Sequence, residues 1–215
     1  MLTLNDRPIL TIDLVMPKRG TWVLDVQVDA AEAFAGSVTL GDIEGNEFVG
    51  TVHRSFEVAG RVHARIFGGA GGLKTVLRAA HYQSASVRLV ADEIAAGAGE
   101  TIDTSSDPLA ATLDAWSRQA GYAGQALSMV ADEVGVQWRV LPNGKIWLGA
   151  ESDEDLVLPE VLELDRDGVH NTALYGLDAL SLRPGRIFNG ERIARVHYCQ
   201  TADQALRVKV WPEAA

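Results

Sequence analysis

The side chains best suited to chemistry are few and scattered. Cys199 is the only cysteine and lies two residues after His197. On a strand that spacing puts both on one face, and a thiol beside an imidazole is the pattern of a nucleophile with its base. A lone strand thiol is also the pattern of inert packing, which is the reading adopted. One cysteine excludes an intrachain disulfide and a cysteine-rich metal site. The remaining histidines, His53, His63, His81 and His170, show neither His-x-x-x-His nor Glu-x-x-His spacing. His53 and His63 would face each other across one hairpin as two metal ligands; the alternative is a pair of strand-surface histidines. Carboxylates cluster at Asp92 with Glu93, at Asp132 with Glu133, and from Glu151 through Asp153 to Asp155. A glycoside hydrolase needs two in one cleft. The helical pairs are instead expected on solvated faces and the third group in an acidic connector.

The run Phe67-Gly68-Gly69-Ala70-Gly71-Gly72-Leu73-Lys74-Thr75 invites a phosphate-loop reading. That loop requires glycine directly before the Lys-Thr pair, and Leu73 stands there. A dinucleotide fingerprint fails too, because Lys74 occupies the place of its third glycine. A flexible glycine loop leaving a strand is expected. No Gly-x-Ser-x-Gly elbow is present. No catalytic, cofactor-binding or metal-binding residue is therefore assigned, and the chain is expected not to be an enzyme. The five tryptophans, Trp22, Trp116, Trp138, Trp147 and Trp211, sit in or near strands, where packing accounts for them.

The elements that must position these residues show in the periodicity. Residues 1–82 read as strands. Trp22, Leu24, Val26 and Val28 alternate with polar neighbours over Thr21–Val28, and Val58, Val62, Ala64 and Ile66 do so over Glu57–Ile66. Ser37–Leu40 and Phe48–Arg54 are shorter strands, separated by turns at Gly41-Asp42, Glu44-Gly45-Asn46 and Ala59-Gly60. Such spacing predicts a barrel or sandwich. Val87, Val90, Ala91 and Ile94 have helical spacing ended by Gly97 and Gly99; Ala123–Val134 repeats it, stopped by Gly135. Thr101–Pro108 reads as a polar turn. Leu109–Gln119 is ambiguous, with Leu113, Ala115 and Ser117 able to alternate in a strand. Pro142-Asn143-Gly144 joins two hairpin strands. Strands return after Leu156, ending in a hairpin of Ile187–Tyr198 and Ala205–Trp211 joined through Thr201-Ala202-Asp203.

With 29 acidic and 19 basic side chains the formal net charge is -10, so phosphate backbones are not attracted in general. The N-terminus lacks the layout of a signal peptide, and no apolar run reaches about 18 residues. A soluble protein made in a reducing cytoplasm is expected.

Glu47–His53 and Glu191–His197 share the pattern Glu-x-(Val/Ile)-small-x-Val-His, each after a Gly/Asn turn. The echo is either convergence of two hairpins or the trace of two related β units with the α+β unit between them.

Three stretches carry a resemblance: Gly68–Leu73; Trp116–Gly121 through Trp138–Gly149; and Leu182–Gly190 followed by Ile193–His197. Over nearly the whole chain their arrangement resembles phage baseplate hub proteins of the T4 and Mu type, with the late control protein D family and the hub part of type VI secretion spikes. The chain is shorter than most such hubs. The resemblance implies a mainly β fold with two tube-like β-barrel modules, 1–83 and 151–215, around an inserted α+β unit, 84–150, with strands exchangeable between segments. It implies a structural, non-enzymatic subunit that forms a homotrimer, a pseudo-sixfold ring joining tail tube to central spike. Its implied partners are tail tube or distal tail proteins and a spike or needle protein, with the tape measure protein as a further candidate. DNA would only pass through the lumen, expected to be negative; no cofactor and no membrane anchor are implied. The implied location is the virion tail baseplate, assembled in the bacterial host cytoplasm. The alternatives are a tail-associated peptidoglycan hydrolase, using Cys199 or a carboxylate pair such as Glu151 and Asp153, and a glycan-binding tail-tip module with exposed tryptophans.

Overall fold

A computed structural model describes residues 1–106, 111–151, 155–158, 161–177, 179–202 and 204–213. It is mostly β, with two α-helices among the described residues. The first six strands are β1 (Thr3–Leu4), β2 (Arg7–Pro17), β3 (Val23–Asp29), β4 (Ser37–Gly41), β5 (Glu47–Val58) and β6 (Arg61–Gly68). Alternation works as the sequence predicts: Leu24, Val26 and Val28 of β3 and Val62, Ala64 and Ile66 of β6 point inward and are buried. Glu57–Ile66 is not one strand. Ala59 (φ 52°) and Gly60 (φ 77°) turn the chain between β5 and β6, so Val58 ends β5 and is exposed. The order runs β1-β4-β5-β6-β3-β2, and β1 also pairs with β2, which closes a six-stranded barrel.

Trp22 plugs this barrel, its indole lying across β5 and β6 where both carry glycine. A Cβ at Gly50 would meet the ring at 2.6 Å and one at Gly68 at 2.5 Å. Phe48 packs edge-on to it, with ring centroids 5.8 Å apart.

The middle of the chain holds β7 (Val76–Leu77), β8 (Ala80–Ser86), α1 (Val87–Gly97), β9 (Thr112–Arg118), β10 (Gly121–Tyr122), α2 (Ala123–Glu133), β11 (Gln137–Val140) and β12 (Ile146–Gly149). Ser86 caps α1, its hydroxyl accepting from the Leu89 amide at 3.1 Å. The apolar stripes of α1 (Val87, Val90, Ala91, Ile94, Ala95) and α2 (Ala123, Ala126, Leu127, Val130, Ala131) are buried, and the helices pack on each other. The ambiguous segment after residue 110 is the strand β9. Its core residues are Leu113 and Trp116, three apart, because the ladder with β8 skips from Gln83↔Ala115 to Ala85↔Leu113 around Ser84 (φ 47°). Ala115 is thereby turned outward.

The chain ends with β13 (Leu162–Asp167), β14 (Thr172–Gly176), β15 (Ile187–Phe188), β16 (Glu191–Gln200) and β17 (Arg207–Pro212). β16 pairs antiparallel with β2, Val196 opposite Met16. The C-terminal strands thus extend the barrel wall into one antiparallel sheet, β5-β6-β3-β2-β16-β17-β14-β13. Ala173, Tyr175, Val196, Tyr198, Val208 and Val210 fill its core side, while no side chain of β13 is buried.

Candidate functional site

A cleft of about 370 Å³ opens where barrel, α+β unit and C-terminal half meet, lined by Trp22, Phe48, Arg139, Trp147, Glu151 and Arg183 among others. β11 supplies Arg139, which lies over the Trp147 ring at 4.3 Å and grips Glu151 through two hydrogen bonds of 2.5 and 3.0 Å. Both partners are mostly buried, so Glu151 is not the solvated connector expected; it buckles the insertion onto its own exit strand. Arg183 lies over Phe48 at 5.4 Å and donates to the Asn46 side chain at 3.1 Å; burial lowers its guanidinium from the usual value. Its loop is held by Tyr198, whose hydroxyl donates to the Leu182 carbonyl (2.9 Å) and accepts from the Leu182 amide (2.7 Å). Burial pushes that phenol far above its ordinary value. Asp42 adds a second tie by accepting from the Leu180 amide at 2.7 Å.

As a reaction centre the cleft is poorly equipped. Among the described residues Glu151 is the one carboxylate on its lining, and it is neutralised by Arg139. Asp153 and Asp203 lie outside the described residues. Asp92 pairs with Arg88 and Asp132 with Arg19, both on the exposed helix faces expected. Trp22, Trp116 and Trp138 are buried, and Trp147 and Trp211 each carry a cation over the ring.

Cys199 and His197 share a strand face but are not partnered. His197 contacts Asp13 at 3.0 Å and stacks on Trp211, while burial, with Asp13 nearby, raises the Cys199 thiol. A nucleophilic thiol needs the opposite shift. His53 and His63 are also kept apart by the hairpin register, which sets Phe56 opposite His63: His53 packs against Phe67 (4.9 Å), and His63 stacks on Phe56 (5.3 Å). Among the described residues no group of three His, Cys, Asp or Glu side chains is placed to hold a metal.

The glycine loop is pinned, not flexible. The buried Glu100 carboxylate accepts from the Ala70 amide at 2.9 Å and the Gly72 amide at 2.8 Å. The loop thus cradles an anion, as the phosphate-loop reading imagined, but the anion is the chain's own. Gly72 sits so close to the end of α1 that a Cβ would overlap the Ala98 carbonyl. Three residues on, Asp103 is buried in what was expected to be a polar turn. The Ser105 hydroxyl (2.5 Å) and amide (2.9 Å) and the Asn143 side chain (2.8 Å) donate to it, the hydroxyl most of all holding its carboxyl below the ordinary range despite burial. Sequence reasoning missed both acids. Their only signal was a carboxylate beside a glycine-rich or Ser-rich turn.

The outward face of the long sheet makes the sequence echo spatial. On β5, His53 packs against Phe67 of the following strand, with Lys74 over the same ring at 4.8 Å. On β16, His197 packs against Trp211 of its following strand, with Arg195 at 4.8 Å and Lys209 at 5.3 Å. The two hairpins carry one device.

Solved structures share this arrangement. The E. coli c3393 protein superposes with a TM-score of 0.71 at 14% identity, over 100% of this chain and 77% of that one. It is described as a component of the type VI secretion system with structural similarity to the T4 bacteriophage tail proteins gp27 and gp5. A tail protein from Neisseria meningitidis MC58 gives 0.69 at 12% identity, covering 97% of this chain and 94% of that one. The chain has the tail-protein fold. The 43 kDa tail protein of prophage MuSo2 from Shewanella oneidensis repeats the match at 0.68 and 9% identity, over 97% of this chain and 95% of that one. No protein-family model matches the sequence, and no curated protein matches it. The tail-protein fold accounts for the closed barrel, the inserted helices and the C-terminal sheet together, because these superpositions run over nearly the whole chain.

Proposed function

We propose that the chain is a structural hub subunit of a phage or phage-like tail, three copies of which close into a pseudo-sixfold ring between tail tube and central spike. The observation that carries this reading is a sheet left open at both ends. Beyond Val52, whose amide still donates to the Gly36 carbonyl at 2.9 Å, β5 pairs with β6 as its one strand neighbour, and β13 pairs with β14 alone, among the described residues. Unprotected edges of this kind bind further strands, and a head-to-tail contact that closes makes a ring. Eight strands at about 4.8 Å each make about 38 Å of arc per copy; three copies give a circumference of about 115 Å and a sheet diameter of about 37 Å.

In this reading the exposed sheet face lines the channel. That face carries Arg54, Arg65, Arg195, Arg207 and Lys209 beside Asp13, Asp25, Asp165 and Asp167. The lumen is then of mixed charge, in place of the negative one expected from total charge alone. Tail tube or distal tail proteins, a spike or needle protein and the tape measure protein are the partners such a ring would meet, with DNA in transit, in a baseplate assembled in the host cytoplasm. Among the described residues of the cleft the hydrolase alternative finds one carboxylate, Glu151, and Arg139 lies over the Trp147 ring that the glycan-binding alternative would use.

Light scattering of the purified protein, with negative-stain imaging, tests the proposal. The expected result is a mass of three chains and a ring with a central channel. A single-chain mass at every concentration, with no rings, would refute it.

A further inference from the structure

We infer that the ring closes by β13 of one copy pairing antiparallel with β5 of the next, in the register that β2 and β16 use inside the chain. The inference rests on the ring reading and adds the surface, the partner strand and the rungs.

The argument begins with a four-strand repeat. Along the sheet, β5-β6-β3-β2 is followed by β16-β17-β14-β13. Placing the echo residues Val52 and Val196 together aligns the rest rung by rung. Ile66 lies opposite Val52 and Val210 opposite Val196; Leu24 then lies opposite Ile66 and Ala173 opposite Val210. Ile66, Val210, Leu24 and Ala173 are all buried on the core side. The outward residues of the next rung, Phe67 and Trp211, carry the matching His and cation contacts. At the last strand of each repeat, Leu14 faces Leu24 and Arg166 faces Ala173. β2 and β13 are therefore equivalent strands, as are β5 and β16.

Their edges are not equivalent. The outer edge of β2 is bonded to β16, with His197 opposite Val15 and Cys199 opposite Asp13. The outer edge of β13 has no strand neighbour among the described residues, and neither has that of β5 from Arg54 to Val58, where the one hydrogen bond from the segment before β4 is the Phe34 amide donating to the Ser55 hydroxyl at 3.0 Å. A second copy brings the missing strand to each.

Carrying the β2–β16 rungs across the repeat fixes the register. Arg54 stands opposite Arg65 as His197 stands opposite Lys209, so Arg54 takes the place of His197. Asp167 takes the place of Val15, because Asp167 faces Thr172 as Val15 faces Val23. On the outward face the junction then sets Arg54 against Asp167, Phe56 against Asp165, and Val58 against Leu162; on the other face it sets Ser55 against Arg166 and Glu57 against Glu163. An arginine meets a carboxylate, and two exposed apolar side chains, 53% and 65% accessible here, cover each other. Arg54 has the Phe56 ring at 5.1 Å as its contact and no acidic partner among the described residues. Opposite charge and exposed apolar surface at the two ends of one sheet argue for a copy of the same chain as the occupant.

The test is site-specific cross-linking of the full chain in a Cys199→Ser background. Val58→Cys with Leu162→Cys should, on mild oxidation, give dimer and trimer bands on a non-reducing gel that collapse with reductant. The off-register pair Val58→Cys with Asp167→Cys, about 15 Å out of step at ~3.3 Å per residue, should stay at the level of either single variant. Independently, Arg54→Asp should weaken assembly at least tenfold in light scattering, and adding Asp167→Arg should restore most of it. Oligomers that form without the Val58–Leu162 cross-link, or that cross-link equally in the control, would overturn the junction and leave the ring standing. A chain that stays single under all conditions overturns the ring and the junction with it.

Discussion

The two halves of the long sheet are made of similar strands but end differently. In the first half β1 bridges β2 and β4, the wall returns on itself, and Trp22 fills the interior. In the second half the same succession of strands stops at β13, where Leu162 and Leu164 remain exposed. A two-residue strand separates a closed barrel from an open wall. Closure removes edges, whereas the second half ends at β13 with no strand on its outer edge among the described residues.

The sharpest way to break this comparison is in the barrel. Trp22→Ala should cost about 3–5 kcal/mol of unfolding free energy in urea titrations, because Gly50 and Gly68 beneath the ring have no side chains of their own to refill the space. A cost under about 1 kcal/mol would mean that the indole is not the plug described. Glu100→Gln comes next. The amide oxygen can serve one of the two loop amides but not both, so a loss of about 1–3 kcal/mol is expected, together with faster hydrogen exchange at Ala70 and Gly72.

Asp103 gives a pH signature. Its carboxyl is lowered in the fold, so its contribution is complete above the unfolded value, about 4, and is lost as pH falls through the lowered native value. The difference in Tm between the wild type and Asp103→Asn should be constant above about pH 4 and narrow below it; a gap that widens on acidification would reverse the assignment. The smallest effect belongs to the open half. Leu164→Ser should change single-chain stability by no more than about 0.5 kcal/mol, measured at a dilution where the chains are apart. A large loss there would show that β13 is packed within its own chain.

Much of the fold was legible because it depends on neighbours in sequence. Alternation gave β3 and β6, helical spacing with its glycine stops gave α1 and α2, and Pro142-Asn143-Gly144 gave the β11–β12 hairpin. The candidate site was far less so. Glu151 read as linker because its partner, Arg139, is twelve residues away on β11, and the cleft draws its lining from five separate stretches of the chain. His53 and His63 could be read as a facing pair because alternation fixes the face of a side chain but not the rung it stands on, and the rung opposite His63 belongs to Phe56.

The sequence by itself determined which segments are strands and helices, which faces are apolar, and that two hairpins share a pattern, since side-chain period and turn chemistry act over a few residues. Only the tertiary structure decided that β2 runs beside β16 from the far end of the chain, that Glu100 fills the glycine loop, and that the outer edge of β13 has no strand beside it among the described residues. Those outcomes depend on which edges and which buried charges remain to be satisfied once every other segment has been placed, and no local pattern encodes that.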